Sequence, residues 1–188
     1  GDASTWGYGG HGLTYNPAGD ASGPNDGYLG SLFGTSHIYD RLVSEISIPA
    51  PIISTTKNAS QLNTAATLQK FGDITGGFSA RLDSQLGHQD AVRIGYLARQ
   101  GSQTTGKMYW SLGRYYPADG ASFPGIGWSE PSISSPQAKG AWYVGPYPAE
   151  GSSGYLFEIP KPWADSNVPG KYLATGSHQE GGCCGSGA

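Results

Sequence analysis

Charge is scarce in this chain: Asp, Glu, Lys and Arg together make up 13% of it, and the formal net charge is −3. There is no basic run, and no patch interleaves Lys or Arg with aromatics, which argues against nucleic acid as a partner. Long apolar runs are missing too. Nothing approaches the roughly 20 residues that a membrane-spanning helix needs, and the amino terminus lacks the apolar core of a signal peptide. Methionine occurs once and cysteine twice. The two cysteines, Cys183 and Cys184, are adjacent, so they cannot staple distant parts of the chain to each other. They can form a vicinal ring, two intermolecular bridges, or bonds to partners elsewhere. The usual chemical signatures are also missing. The chain contains no G-x-S-x-G elbow, P-loop or dinucleotide fingerprint, and neither H-E-x-x-H nor paired C-x-x-C metal spacing. No cofactor or metal is therefore expected.

Turn formers and aromatics are abundant. Gly (31) and Pro (13) make up about a quarter of the 188 residues, a level that can signal disorder in an aperiodic chain. The 5 Trp, 12 Tyr and 5 Phe argue against that, because disordered chains lack such groups to bury. The combination reads as a turn-rich all-β protein, and the length suits one domain spanning residues 1–188. Few charges with many Tyr, Trp, Ser, Thr and Gly suggest an extracellular or periplasmic protein. A start at Gly1 without Met fits a processed mature form or a trimmed fragment, and Asn58-Ala59-Ser60 matches the glycosylation acceptor pattern.

Strand alternation dominates. In Leu42 to Ile48, Leu42, Ile46 and Ile48 fall on one side and Val43, Glu45 and Ser47 on the other, the pattern of a half-buried strand with Glu45 facing outward. Further strands are expected at Gly12–Tyr15, Ala91–Ala98, Met108–Tyr116, Trp142–Val144 and Tyr172–Thr175. The polar stretch Gln100–Gly106 joins two of these segments as a hairpin. Residues 20–27 and 117–136 read as surface loops, and Ser60–Gln69 reads as an extended connection as readily as a helix. Two stretches about 110 residues apart share a strand-loop-strand signature ending in Glu, Ile and Pro: Gly30–Pro51 and Ala141–Pro162. Such repetition favours a β-propeller, with a β-sandwich as the alternative.

The segments Leu13-Thr14-Tyr15-Asn16-Pro17-Ala18, Gly30-Ser31-Leu32-Phe33 with His37, and Val43 to Pro49 resemble the opening of a family of uncharacterised bacterial secreted β-propeller proteins. The resemblance continues through Ile94–Leu97 and Gly154-Tyr155 to Trp163-Ala164, covering most of the chain. It implies a longer ring of about five or more blades, whereas 188 residues hold roughly three to four blades of 40 to 50 residues. The chain is then either a fragment of a longer propeller or a unit that closes the ring by homo-oligomerisation.

Two His-Gln-acid triplets, His88-Gln89-Asp90 and His178-Gln179-Glu180, lie 90 residues apart and are candidates for acid-base chemistry on a propeller axis. Loop residues that satisfy turns and blade-to-blade hydrogen bonds are the simpler explanation of them. His11 and His37 could join such a pocket. A glycoside hydrolase needs two opposed carboxyl groups, and Asp40, Glu45, Asp83, Asp90, Glu158 and Glu180 are available, though nothing in the sequence pairs them. The main candidate binding surface is aromatic: Tyr109, Trp110, Tyr115, Tyr116, Trp128 and Trp142, with Phe123, Tyr143 and Tyr147 nearby. Flat rings stack on sugar faces, although most such residues in a β protein fill its layers. Three functions follow: an extracellular binding or surface protein with a glycan ligand, a secreted carbohydrate hydrolase with an axial acid and His site, or a filament-forming subunit.

Overall fold

Alternating side chains draw the first part of the chain into a meander. The computed structural model describes residues 6–7, 9–10, 12–20, 27–37, 39–86, 93–98, 103–113, 123–144 and 154–176. Strands β1 (Leu13–Asn16), β2 (Gly27–Thr35), β3 (Val43–Pro49) and β4 (Thr67–Gly72) pair antiparallel in sequence order as one four-stranded sheet. A second four-stranded meander follows: β5 (Arg93–Leu97), β6 (Lys107–Ser111), β7 (Ile126–Ser129) and β8 (Lys139–Trp142). β9 (Tyr155–Glu158) and β10 (Leu173–Gly176) form a two-stranded sheet. Helices α1 (Phe78–Leu86) and α2 (Lys161–Asn167) interrupt this pattern. The chain is therefore mainly β, in antiparallel sheets, and the β5–β6 hairpin stands where the sequence places it.

The two four-stranded sheets share one core. Phe33 and Val43 of the first sheet pack with Ile94, Met108 and Trp110 of the second and with Leu82 of α1. Gln69 on β4 fastens the first sheet to the segment following β7. Its amide donates to the Pro131 carbonyl (3.0 Å) and its oxygen accepts from the Ile133 amide (2.8 Å). Elsewhere Tyr96 of β5 donates its backbone N–H to the Thr14 hydroxyl on β1 (2.9 Å). β9 lies over β5, where Gly95 permits it. A Cβ at that position would stand 2.7 Å from the Leu156 carbonyl oxygen, closer than packing allows.

Several expectations need correction. β4 takes over the last three residues of the stretch expected as a connection, and β7 lies inside the stretch expected as a loop. Helix α1 is not among the expected elements, and Asp73 marks its start. That carboxylate accepts from Thr75 N–H (2.7 Å) and Gly77 N–H (2.7 Å), satisfying amides ahead of the first helical turn. Pro160 and Pro162 open α2 instead of simply stopping a strand, because proline is pre-organised for a first helical turn. The two similar stretches are not equivalent units, since β2 and β3 pair with each other whereas β8 and β9 belong to different sheets. The described residues form no closed ring of blades. Among them no helix is long and apolar enough to cross a membrane.

Candidate functional site

Register assigns each aromatic of the second sheet to a face, because residues paired across strands share one. Tyr109 pairs with Trp128, Trp128 with Lys139, and Ile126 with Trp142. Tyr109, Trp128 and Trp142 therefore stand on one face, the one turned away from the Trp110 core, together with Lys107 and Lys139; β9 covers this face at Gly95, the partner of Tyr109, and Lys107 is buried in it. Tyr109 and Trp128 are partly buried, and Trp142 is 46% exposed. The next residue in sequence after Tyr109 goes the other way. Trp110 pairs with Ile94 and Gly127, is 1% exposed, and belongs to the core. Its indole plane fills space that Gly127 leaves empty: a Cβ there would meet the ring at 2.2 Å. The expected aromatic surface is thus split, and Trp110 stands as a packing residue because strand alternation sends neighbours to opposite faces. Tyr115, Tyr116 and Tyr147 lie outside the described residues, as do His11, His88, Asp90, His178, Glu180, Cys183 and Cys184.

Lys107 organises the outer face. Its ammonium sits 5.2 Å from the Trp128 ring centroid, donates to Glu130 (2.6 Å) and donates to the Thr105 hydroxyl (3.1 Å). Hydrogen bonds from Lys107 and then Thr105 hold the Glu130 carboxyl below its ordinary pKa. Burial raises the Tyr109 phenol above its usual value, so it remains a neutral donor and acceptor across the physiological range. The face offers ring surface, one neutral hydroxyl and the exposed ammonium of Lys139, the charge of Lys107 being matched by Glu130.

A cleft of about 530 Å³ opens beside this face, between the first turn of α1 and edge strand β8. Thr75, Phe78, Arg81, Trp110, Gln137 and Lys139 line it. Phe78 and Trp110 form its aromatic wall, with ring centroids 5.9 Å apart, and the Arg81 guanidinium lies 5.7 Å from the Phe78 ring. Gln137 holds the left-handed conformation at φ 43°, which only a few per cent of non-glycine residues adopt. No family model, curated protein or solved structure matches the chain.

Among the described residues the carboxylates form no catalytic pair. Glu45, expected to face outward, is 6% exposed. Its carboxylate accepts from Ser31 Oγ (2.5 Å), Asn16 Nδ2 (3.3 Å) and Gln69 Nε2 (2.6 Å). Asp83 is held by both terminal nitrogens of Arg41, and Glu158 is exposed. His37 accepts from the Tyr39 amide through Nδ1 (3.2 Å) and packs on its ring. Among the described residues no group of three or more His, Cys, Asp or Glu is placed to hold a metal. Asn58 lies exposed beside a short 3-10 turn, its side-chain oxygen accepting from Ser60 N–H (3.0 Å) and the Ser60 hydroxyl (2.9 Å).

The signal for the aromatic face is present in the sequence as alternation: positions 109 and 128 are aromatic and position 110 must point away. The cleft is not legible there, because it joins a helix without a clear periodic signature to a strand about 60 residues later.

Proposed function

We propose that this chain is an extracellular binding or surface protein of the β-propeller type, related to secreted bacterial propellers, with a glycan as its ligand. The observation that carries this reading is the row of Tyr109 and Trp128 on the outer face of the second sheet, with Trp142 further along it. Aromatic surface of this kind stacks on the apolar faces of sugar rings, and a neutral phenol beside it orients hydroxyls. The engagement of Glu45 by three donors and of Asp83 by Arg41 favours binding over hydrolysis, since neither carboxylate is left for a reacting bond. The blade architecture draws support from two successive four-stranded meanders packed through one core, with a further pair of strands, β9 and β10, laid on the second.

The test is a calorimetric titration of the protein with neutral and acidic hexasaccharides, repeated on Trp128→Ala and Trp142→Ala. Binding that weakens about tenfold with either variant, at unchanged circular dichroism, supports the reading; one tenfold step corresponds to about 1.4 kcal/mol. A titration in which no saccharide binds the parent protein sinks it.

The first sheet favours a second reading, in which copies associate. Its outer face presents Leu13, 57% exposed, and Tyr15, 48% exposed, beside the partly buried Leu32 and Ile46. Monomeric proteins seldom leave such a contiguous face uncovered. A light-scattering mass equal to one chain at every concentration would remove this reading.

A further inference from the structure

We infer that the cleft between α1 and β8 is the charge-reading half of the glycan site, and that the ligand is an acidic saccharide whose carboxylate or sulfate lies between Arg81 and Lys139. This rests on the glycan reading above and narrows it to one chemical class.

The charge inventory of the cleft supports the assignment. Among the described residues of its lining, Arg81 and Lys139 are the charged ones, and none is a carboxylate. Neither cation has an ion-pair partner among the described residues, where Arg41, Lys107 and Lys161 each have one. The nearest acid in sequence before α1, Asp73, is committed to the amides of Thr75 and Gly77. It thereby neutralises the positive end of α1, so the helix amides are not the anion site and the countercharge must come from the two side chains. In a chain of net charge −3, two cations that no carboxylate pairs with among the described residues, lining one cleft, set a local field opposite in sign to the whole.

Continuity with the aromatic face supplies the saccharide. Lys139 lines the cleft and is also the cross-strand neighbour of Trp128. Gly140 lines the cleft too, and the Trp142 ring stands 3.6 Å from where its Cβ would be. β8 is an edge strand, so a ligand can cross it with a sugar ring on Trp142 and its acidic group in the cleft. A guanidinium and an ammonium suit this task, because a carboxylate or sulfate accepts charge-assisted hydrogen bonds from both.

The experiment uses hexasaccharides from polygalacturonate, alginate, chondroitin sulfate and heparin, each paired with its methyl-esterified or desulfated counterpart, titrated calorimetrically into the full chain. At least one acidic form should bind about tenfold or more tightly than its neutral counterpart, and that preference should shrink as salt rises. Arg81→Gln and Lys139→Gln should each weaken acidic binding about tenfold, and the double variant should bind the acidic and neutral forms alike. Both side chains are exposed, so the melting temperature should not move. Equal binding of acidic and neutral forms, or a preference that survives the double variant, overturns the cleft assignment and leaves the glycan reading standing. Failure of every hexasaccharide to bind overturns both. If free sulfate competes as well as the whole acidic saccharide, the cleft is an anion site only and the saccharide class is wrong.

Discussion

The two four-stranded sheets solve the same burial problem with opposite materials. The first turns a largely polar face inward, with Asn16, Ser31, Glu45 and Ser47 beside Phe33 and Val43, and leaves Leu13 and Tyr15 outside. The second buries Ile94, Met108 and Trp110 and turns Tyr109, Trp128 and Lys139 away from them, with Lys107 buried against Trp128 on that side. A polar interior is tolerable only when its groups are paired, and the carboxylate of Glu45 gathers three donors from three different strands. The first sheet is thus held by directional bonds that specify its register. The second is held by packed area, and this frees its outer face to carry rings and charge.

The sharpest way to break this contrast is to remove the anchor of each sheet. Trp110→Ala should cost about 3–5 kcal/mol in denaturant unfolding, as large cavities in packed cores do. Glu45→Ala should cost about 2–4 kcal/mol, because three donors lose their acceptor; Glu45→Gln, which keeps one carbonyl acceptor, should cost less. If Glu45→Ala unfolds at the same denaturant concentration as the parent, the directional account of the first sheet fails.

A smaller effect is expected where β9 meets the second sheet. Gly95→Ala would place a methyl 2.7 Å from the Leu156 carbonyl oxygen and should destabilise by about 1–3 kcal/mol. Hydrogen exchange should quicken in β9 and β10 first, since these strands would be displaced. Uniform acceleration across both four-stranded sheets would show that the hairpin is not a separate layer.

The smallest effect concerns charge on the outer face. Glu130 has its folded-state pKa lowered by Lys107 and Thr105, so the stabilisation is present above the ordinary glutamate pKa and is lost as pH falls through the lower folded value. The Lys107 side chain is 7% exposed and that of Glu130 24%, so Lys107→Met, which leaves a partly wet carboxylate without its partner, should cost about 1 kcal/mol at neutral pH. The stability curves of parent and variant should converge in acid. Parallel curves down to that range would mean that Lys107 acts through its packing on Trp128 alone.

Much of this contrast is legible locally, and its most consequential parts are not. Alternation alone places Tyr109 and Trp110 on opposite faces, whereas aromatic content groups them into one surface; the register decides for alternation. Alternation also puts Val43, Glu45 and Ser47 on one side of β3. An isolated glutamate on a strand seldom goes inside, so by itself that side reads as solvent-facing. Only Asn16, Ser31 and Gln69, which lie 29, 14 and 24 residues away, make the inward choice favourable. For α1 the local signs exist, with Asp73 before it and Phe78 and Leu82 four residues apart, but the glycines at 76 and 77 mask them.

The sequence by itself determined that this is a mainly β chain, where most of its strands run, and that β5 and β6 form a hairpin. Alternation, aromatic content and turn residues act over only a few positions, so they can be read without knowing the partners. Tertiary structure alone decided which face of each sheet is buried, which aromatics share a surface, and that Arg81 and Lys139 meet in one cleft. Those outcomes depend on register and packing between segments tens of residues apart, where the free energy belongs to the contact and not to either segment.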